Sequence, residues 1–177
     1  MALNERPDHP DGVFVEDNIV FYNGTALITR PGAFERLGEI DGLAEEIISA
    51  LNCPAVSIND PGTLDGGDVL KIGDLILVGI SSRTNESGFL QLKQLFEQAG
   101  ARVEQIPVSG SLHLKSIITA LPDRTVLYQK DRLPAETRDA LTKLGLTLLE
   151  VPEEKGVNVI VLGENTVMVQ ASAQQTI

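Results

Sequence analysis

Cysteine is nearly absent from these 177 residues, with Cys53 the single thiol. One thiol excludes an internal disulfide and a multi-cysteine metal cluster, and it suits a reducing compartment. Just past a helical pattern and without a basic neighbour in sequence, Cys53 reads as structural. Long apolar runs are missing too. No stretch of eighteen apolar residues occurs, and the opening Met1 to Pro10 is polar and proline-bearing rather than a basic stretch followed by an apolar core. Neither a spanning helix nor a secretory leader is expected, which makes the cytoplasm the expected location. Basic residues are outnumbered, 14 Lys and Arg against 25 Asp and Glu, for a formal charge of -11. That balance argues against nucleic acid, whose phosphates call for clustered Lys and Arg, and against anionic membrane surfaces. Linkers are not evident, and a chain that is 42% hydrophobic can bury one substantial core, so a single domain is expected.

What is present is a repeat. Glu39 to Leu51 places Ile40, Leu43, Ala44, Ile47, Ile48 and Leu51 on one helical face. Asn85 to Ala99 does the same with Phe89, Leu92, Leu95 and Phe96, and a third pattern from Pro134 uses Ala140, Leu141 and Leu144. Gly100 and Gly145 are placed as C-terminal stops. The three helices start roughly 46 to 49 residues apart. Two apolar runs suited to strands precede each: Val13 to Val20 with Thr25 to Arg30, Val69 to Ile72 with Leu75 to Ile80, and Ser116 to Leu121 with Thr125 to Gln129. Asn23-Gly24, Gly73-Asp74 and Pro122-Asp123 supply the turns between them. One more extended run follows each helix: Ala55 to Ile58, Arg102 to Val108 and Thr147 to Val151. The unit is ββαβ. A fourth copy opens with Val157 to Leu162 and Thr166 to Gln170, and no helix follows before Ile177. The expected units cover about 11–58, 66–108, 116–151 and, in part, 157–177 of one α/β domain.

Several clusters could carry chemistry. In Pro10 to Asp17, the acids Asp11, Glu16 and Asp17 bracket an apolar run. Acids at a strand end are costly to bury unpaired, so they either grip an ammonium or guanidinium group or cap turns. Asp65-Gly66-Gly67-Asp68 sets two acids around a glycine pair, which permits close backbone approach or simply makes a turn. His113, one of two histidines, lies between leucines and is either a satisfied core residue or a general acid or base; an Asp65 carboxylate at its ring would fix the tautomer and favour the imidazolium. Arg30 and Arg83 end equivalent strands of successive units. They could aim two guanidinium forks at one carboxylate, or be unrelated surface arginines.

Taken in order, PDGVFVED, ALITRPGA, GTLDGGDVL, GISSRTNESG and SLHLKS closely resemble the dimethylarginine dimethylaminohydrolase family, which belongs to the five-bladed, guanidine-modifying pentein superfamily. The resemblance continues through VPEEKGVNVIVLGENTVMV and so covers nearly the whole chain. It implies an α/β propeller of ββαβ blades, about three and a half of five being present, with site residues converging on a central axis at the ends of equivalent strands. It also implies hydrolysis of methylated arginine to citrulline and a methylamine through a covalent thiouronium on a cysteine. By resemblance, Asp17 with Glu16 beside it holds the substrate guanidinium, Asp11 receives the α-amino group, and Arg30 and Arg83 clamp the α-carboxylate. His113 protonates the leaving amine, and Asp65 orients it. No cofactor or metal is implied, and the partner is a small guanidine.

Two departures bear on activity. The family's nucleophilic cysteine stands in a Gly-Gly-x-x-Cys-type segment of the last blade, which has no counterpart here; the first blade's opening strand and substrate loop have none either. Cys53, in a helix-to-strand connection of another blade, does not substitute. The chain alone is therefore expected not to turn over, and its open blade edges are expected to favour self-association. The alternatives are a non-catalytic pentein binding module, or a related guanidine hydrolase or amidinotransferase.

Overall fold

The structure, a computed structural model, describes residues 4–129 and 131–176; the final residue of the expected fourth unit lies outside them. Three sheets repeat one topology. Strand β1 (Ile19–Tyr22) pairs antiparallel with β2 (Thr25–Ile28), and after helix α2 (Leu43–Leu51) the strand β3 (Ala55–Ser57) returns parallel to β2. A short helix α1 (Val15–Asn18) precedes β1. In the second sheet β4 (Val69–Ile72) and β5 (Leu75–Ile80) lead through α3 (Glu86–Gln98) to β6 (Arg102–Pro107). In the third, β7 (Ile118–Ala120) and β8 (Thr125–Gln129) lead through α4 (Ala135–Lys143) to β9 (Thr147–Val151). A hairpin of β10 (Ile160–Gly163) and β11 (Thr166–Met168) follows. This is the expected ββαβ order, with sheets of short mixed strands and no closed barrel. No helix among the described residues is long and apolar enough to cross a membrane.

Local chemistry accounts for the elements. Asn23 and Gly24 both have positive φ, 43° and 79°, the geometry that a two-residue hairpin loop needs to follow strand twist. Asn85 caps α3 by accepting the Gly88 N–H at 2.8 Å, and Gly100 closes it at φ 93°. Strand β5 is an unbroken apolar run because both faces are covered. Ile76 and Val78 pack with Phe89, Leu92 and Phe96 of α3 and with Val20 and Leu27 of the first sheet. Leu75 and Leu77 pack with Ile118, Val126 and Leu141 of the third unit. These two cores are thus shared between successive units, and burying each such side chain contributes about 1.5–3 kcal/mol.

Two expectations are corrected. Val13 to Val20 is not one strand: residues Pro10–Val13 form a 3-10 turn and Val15–Asn18 a helical turn, so pairing begins at Ile19. Pro10 fixes φ and starts the turn, and the apolar Val13 and Phe14 stay 76% and 58% exposed. The helix expected from Glu39 begins at Leu43, because Gly42 adopts φ 71° and separates it from a 3-10 stretch, Phe34–Ile40. Ile48 and Leu51, expected on the buried face, are exposed.

Candidate active site

The first strand of each sheet is preceded by a tight helical turn: α1 before β1, Gly66–Asp68 before β4, and Leu114–Ser116 before β7. These three turns pack together. They bring Asp17, Asp65 and His113 close enough that one donor atom from each lies within 4.8 Å of the others. The glycine pair makes the approach possible. A Cβ on Gly66 would stand 1.9 Å from the Glu16 carbonyl oxygen, and one on Gly67 2.8 Å from the His113 ring and 2.9 Å from Asp17 Oδ1.

Asp17 is held on both oxygens: the Gly67 N–H donates to Oδ1 and the Arg36 guanidinium to Oδ2, each at 2.9 Å. Arg36 also donates through Nε and Nη2 to both oxygens of Glu39 at 2.8 Å, and Asn18 donates to Glu39 at 2.9 Å. Arg36 and Glu39, neither of them expected, make this a buried ionic network. Its only sequence signal is an Arg and a Glu three residues apart on one short turn. The two carboxylates hold the Arg36 guanidinium's pKa far above its ordinary value against the opposing pull of burial.

Asp65 is fully buried. Its Oδ1 accepts from the Gly32 N–H at 2.8 Å, while Oδ2 has no hydrogen-bond partner among the described residues and lies 3.9 Å from Arg36 Nη1. Burial pushes the Asp65 carboxyl above the usual carboxylate range, and Asp17 adds to this; the Gly32 N–H, His113 and Arg36 oppose it. For His113, burial lowers the pKa, but Asp68, Asp17 and Asp65 together raise it above the ordinary imidazole value. Asp65 has an oxygen within 4.8 Å of a His113 ring nitrogen, and a second carboxylate, Asp68, stands nearer to Nδ1. Asp68 Oδ2 stands 3.5 Å from His113 Nδ1, because the 3-10 turn carries the second acid of the pair towards β7.

Arg30 and Arg83 have different surroundings in this structure. Thr29 turns its hydroxyl to the Asp17 carbonyl at 2.7 Å, and alternation along the extended chain sends Arg30 the opposite way. There it pairs with Asp60 at 2.9 Å and donates to the Gly62 carbonyl at 3.3 Å. Arg83 packs its backbone on Gly32, whose Cβ would lie 2.2 Å from the Arg83 carbonyl oxygen, and its Nη1 is buried without a partner among the described residues. Glu16 leaves the cluster for Lys115 at 2.6 Å, and Asp11 is exposed, only its carbonyl reaching Arg36, at 3.3 Å. The three converging donors have the spacing of a cation site, and Arg36, already paired with Asp17, opposes a divalent metal more strongly than a singly charged, planar guanidinium, beside which His113 could transfer a proton. Cys53 packs with Ile19, Ala26, Ile28 and Ile47 at the opening end of β3, whereas the cluster lies beyond the far ends of β2 and β3, where Arg30 bridges Leu64.

Sheets of ββαβ order, with acids and a histidine gathered on the turns before them, match the pentein fold. An arginine dihydrolase N-terminal domain solved with substrate superposes with a TM-score of 0.80 over 96% of this chain and 66% of its own at 14% identity, a likeness of fold. No family model matches the chain. A dimethylarginine dimethylaminohydrolase of Streptomyces coelicolor is 49% identical over 99% of this chain and 66% of its own length. The Pseudomonas aeruginosa enzyme of the same name is 32% identical over 90% of this chain and 61% of its own. A structure of the Pseudomonas enzyme complexed with citrulline has a TM-score of 0.81 at 30% identity, covering 97% and 66% of the two chains. The chain belongs to the dimethylarginine dimethylaminohydrolase family. It spans a little under two thirds of the length of these curated relatives.

Proposed function

We propose that this protein acts in the hydrolysis of methylated arginine to citrulline and a methylamine, and that this chain supplies the guanidinium-holding and proton-donating half of the chemistry. The observation that carries the reading is the convergence of Asp17, Asp65 and His113 from three separate turns, with a buried Arg83 Nη1, unpartnered among the described residues, on the adjoining loop. Asp17 faces the guanidinium, and His113, biased towards imidazolium by its carboxylates, protonates the departing nitrogen; positioning of this kind matters because a guanidinium carbon is a poor electrophile. Arg83 takes the substrate α-carboxylate. Arg30 joins it only by leaving Asp60, and Asp11 and Glu16 flank the α-amino side. Asp65 supports His113 from its buried position. We place the protein in the cytoplasm, with one reduced thiol and no nucleic-acid partner, and we infer self-association through its exposed apolar faces.

Calorimetry on the chain tests the binding half. N-methylarginine, with both charged ends, should bind more tightly than methylguanidine by about 1.5–3 kcal/mol, roughly ten- to a hundred-fold. Arg83→Ala should remove most of that difference. Equal affinity for the two ligands would overturn the reading. Cys53 has no part in it: citrulline formation that is present in the chain and lost on Cys53→Ser would place the nucleophile where we do not.

A further inference from the structure

Just beyond β5, the loop that carries Arg83 is folded on a serine hydroxyl. The Ser81 N–H donates to the Thr84 carbonyl at 3.1 Å, and Ser81 Oγ accepts the Arg83 N–H at 3.0 Å and the Thr84 N–H at 3.2 Å. Those two N–H groups belong to the peptides before and after the Arg83 Cα, so holding both fixes the backbone from which its side chain departs. A hydroxyl has one hydrogen to give and two lone pairs to receive with. Asp68, fully buried, takes the hydrogen: Ser81 Oγ donates to its Oδ2 at 2.7 Å, which leaves both lone pairs for the loop. The Thr84 hydroxyl donates to the same Asp68 oxygen at 2.7 Å and accepts the Asp65 N–H at 3.1 Å, while the Leu114 N–H holds Asp68 Oδ1 at 2.9 Å. The loop is thereby registered against the turn that brings Asp65 to the cluster.

We propose that Ser81 is the positioning residue of Arg83, its hydroxyl oriented by Asp68, so that the guanidinium is set to receive the substrate carboxylate before the substrate arrives. The inference rests on the reading of Arg83 as the carboxylate-binding group. Arg83 Nη1 is buried without a partner among the described residues, so at that end no side chain aims it, and its direction comes from the backbone that Ser81 holds. A loop already folded in the free chain spends less of the binding energy on ordering a long, flexible side chain. Gly32 is the competing support. Its backbone lies against the Arg83 carbonyl, where a Cβ would come within 2.2 Å, but that contact limits how far the loop can move and does not fix the peptide planes on both sides of Arg83.

Calorimetry on the full chain reads the carboxylate-dependent part of binding as the affinity ratio of N-methylarginine to methylguanidine. Ser81→Ala should lower that ratio roughly three- to ten-fold, as for one lost hydrogen bond, by weakening N-methylarginine while methylguanidine binds as before. Ser81→Thr, which keeps the hydroxyl, should restore it. A merely structural role would weaken both ligands together and leave the ratio intact, and that result overturns the inference. Arg83→Ala separates this from the reading beneath it. If Arg83→Ala collapses the ratio and Ser81→Ala does not change it, the carboxylate reading stands and the positioning role falls. A ratio near one in the unaltered chain, or one that Arg83→Ala leaves intact, overturns both. Should Ser81→Ala fail to fold, hydrogen exchange in the unaltered, ligand-free chain decides: slow exchange of the Arg83 and Thr84 N–H groups supports a loop set in advance, and exchange at the rate of an open chain defeats it.

Discussion

Arg36 is bonded to two carboxylates and lies near a third, yet only 8% of it is exposed, so its burial is tolerable only while those partners stay charged. Removing one partner strands the guanidinium. Glu39→Gln should destabilise the chain by about 3–5 kcal/mol, measured by urea unfolding, because a neutral amide cannot balance a buried cation. The pH dependence follows from the same pair. Burial alone would raise the Glu39 carboxyl, but Arg36 and Asn18 outweigh it and hold its pKa below the ordinary 4.5. A carboxyl depressed on folding contributes stability that is present above its unfolded pKa and lost as pH falls through the folded one. Wild-type stability should therefore decline on acidification below about 4.5, and the Glu39→Gln chain should lose less over that window. Equal slopes would mean that the network contributes nothing to acid sensitivity.

At the scale of elements, the turn before β4 is tightly constrained. Gly66 lies against the backbone of α1, which cannot rotate away as a side chain would, so Gly66→Ala forces the two turns apart. The expected cost is about 1–3 kcal/mol or more, typical of overpacking. It should be joined by loss of the Asp17–Gly67 hydrogen bond and weaker methylarginine binding. Gly163, the last residue of β10, has nothing within 4 Å of its Cβ position and no positive φ, so Gly163→Ala should leave the thermal midpoint nearly unchanged. Similar melting of the two variants would show that close approach of the turns does not limit stability.

Across the whole molecule the units are not equally covered. Ile160, Leu162 and Met168 of the last hairpin are 56%, 62% and 50% exposed, while the middle unit buries both faces of β5. On the first unit Val13, Phe14, Phe21 and Ile48 are also exposed, near a cavity of about 690 Å³ between residues 4–15 and the β1–α2 surface. Apolar surface in such patches favours association despite a net charge of -11. Light scattering should give a mass above that of one chain at high protein concentration, and Ile160→Lys with Leu162→Lys should lower it. A wild-type monomer at all concentrations would refute this.

The residue pattern by itself determined the repeat, because helical and strand periodicities are local: β4, β5, β8 and β9 fall where apolar alternation and turn residues place them. It also supplied the kinds of residue in the site, Asp17, Asp65 and His113, the last two just before expected strands and the first within one. Local pattern failed at Val13 to Val20, where an apolar run is a pair of turns with exposed side chains. Which acid meets the histidine was a tertiary matter. Asp65 and Asp68 are equivalent in a linear reading of DGGD, and the 3-10 turn between them sets Asp68 Oδ2 3.5 Å from Nδ1 while Asp65 Oδ2 has no hydrogen-bond partner among the described residues. The same holds for the arginines. Spacing treated Arg30 and Arg83 as a pair, whereas pleat alternation turned Arg30 to Asp60, and Arg36, with no periodic signature, became the guanidinium at the centre of the network. Contacts between turns about fifty residues apart depend on how three shared cores pack, and a one-dimensional period carries no record of that.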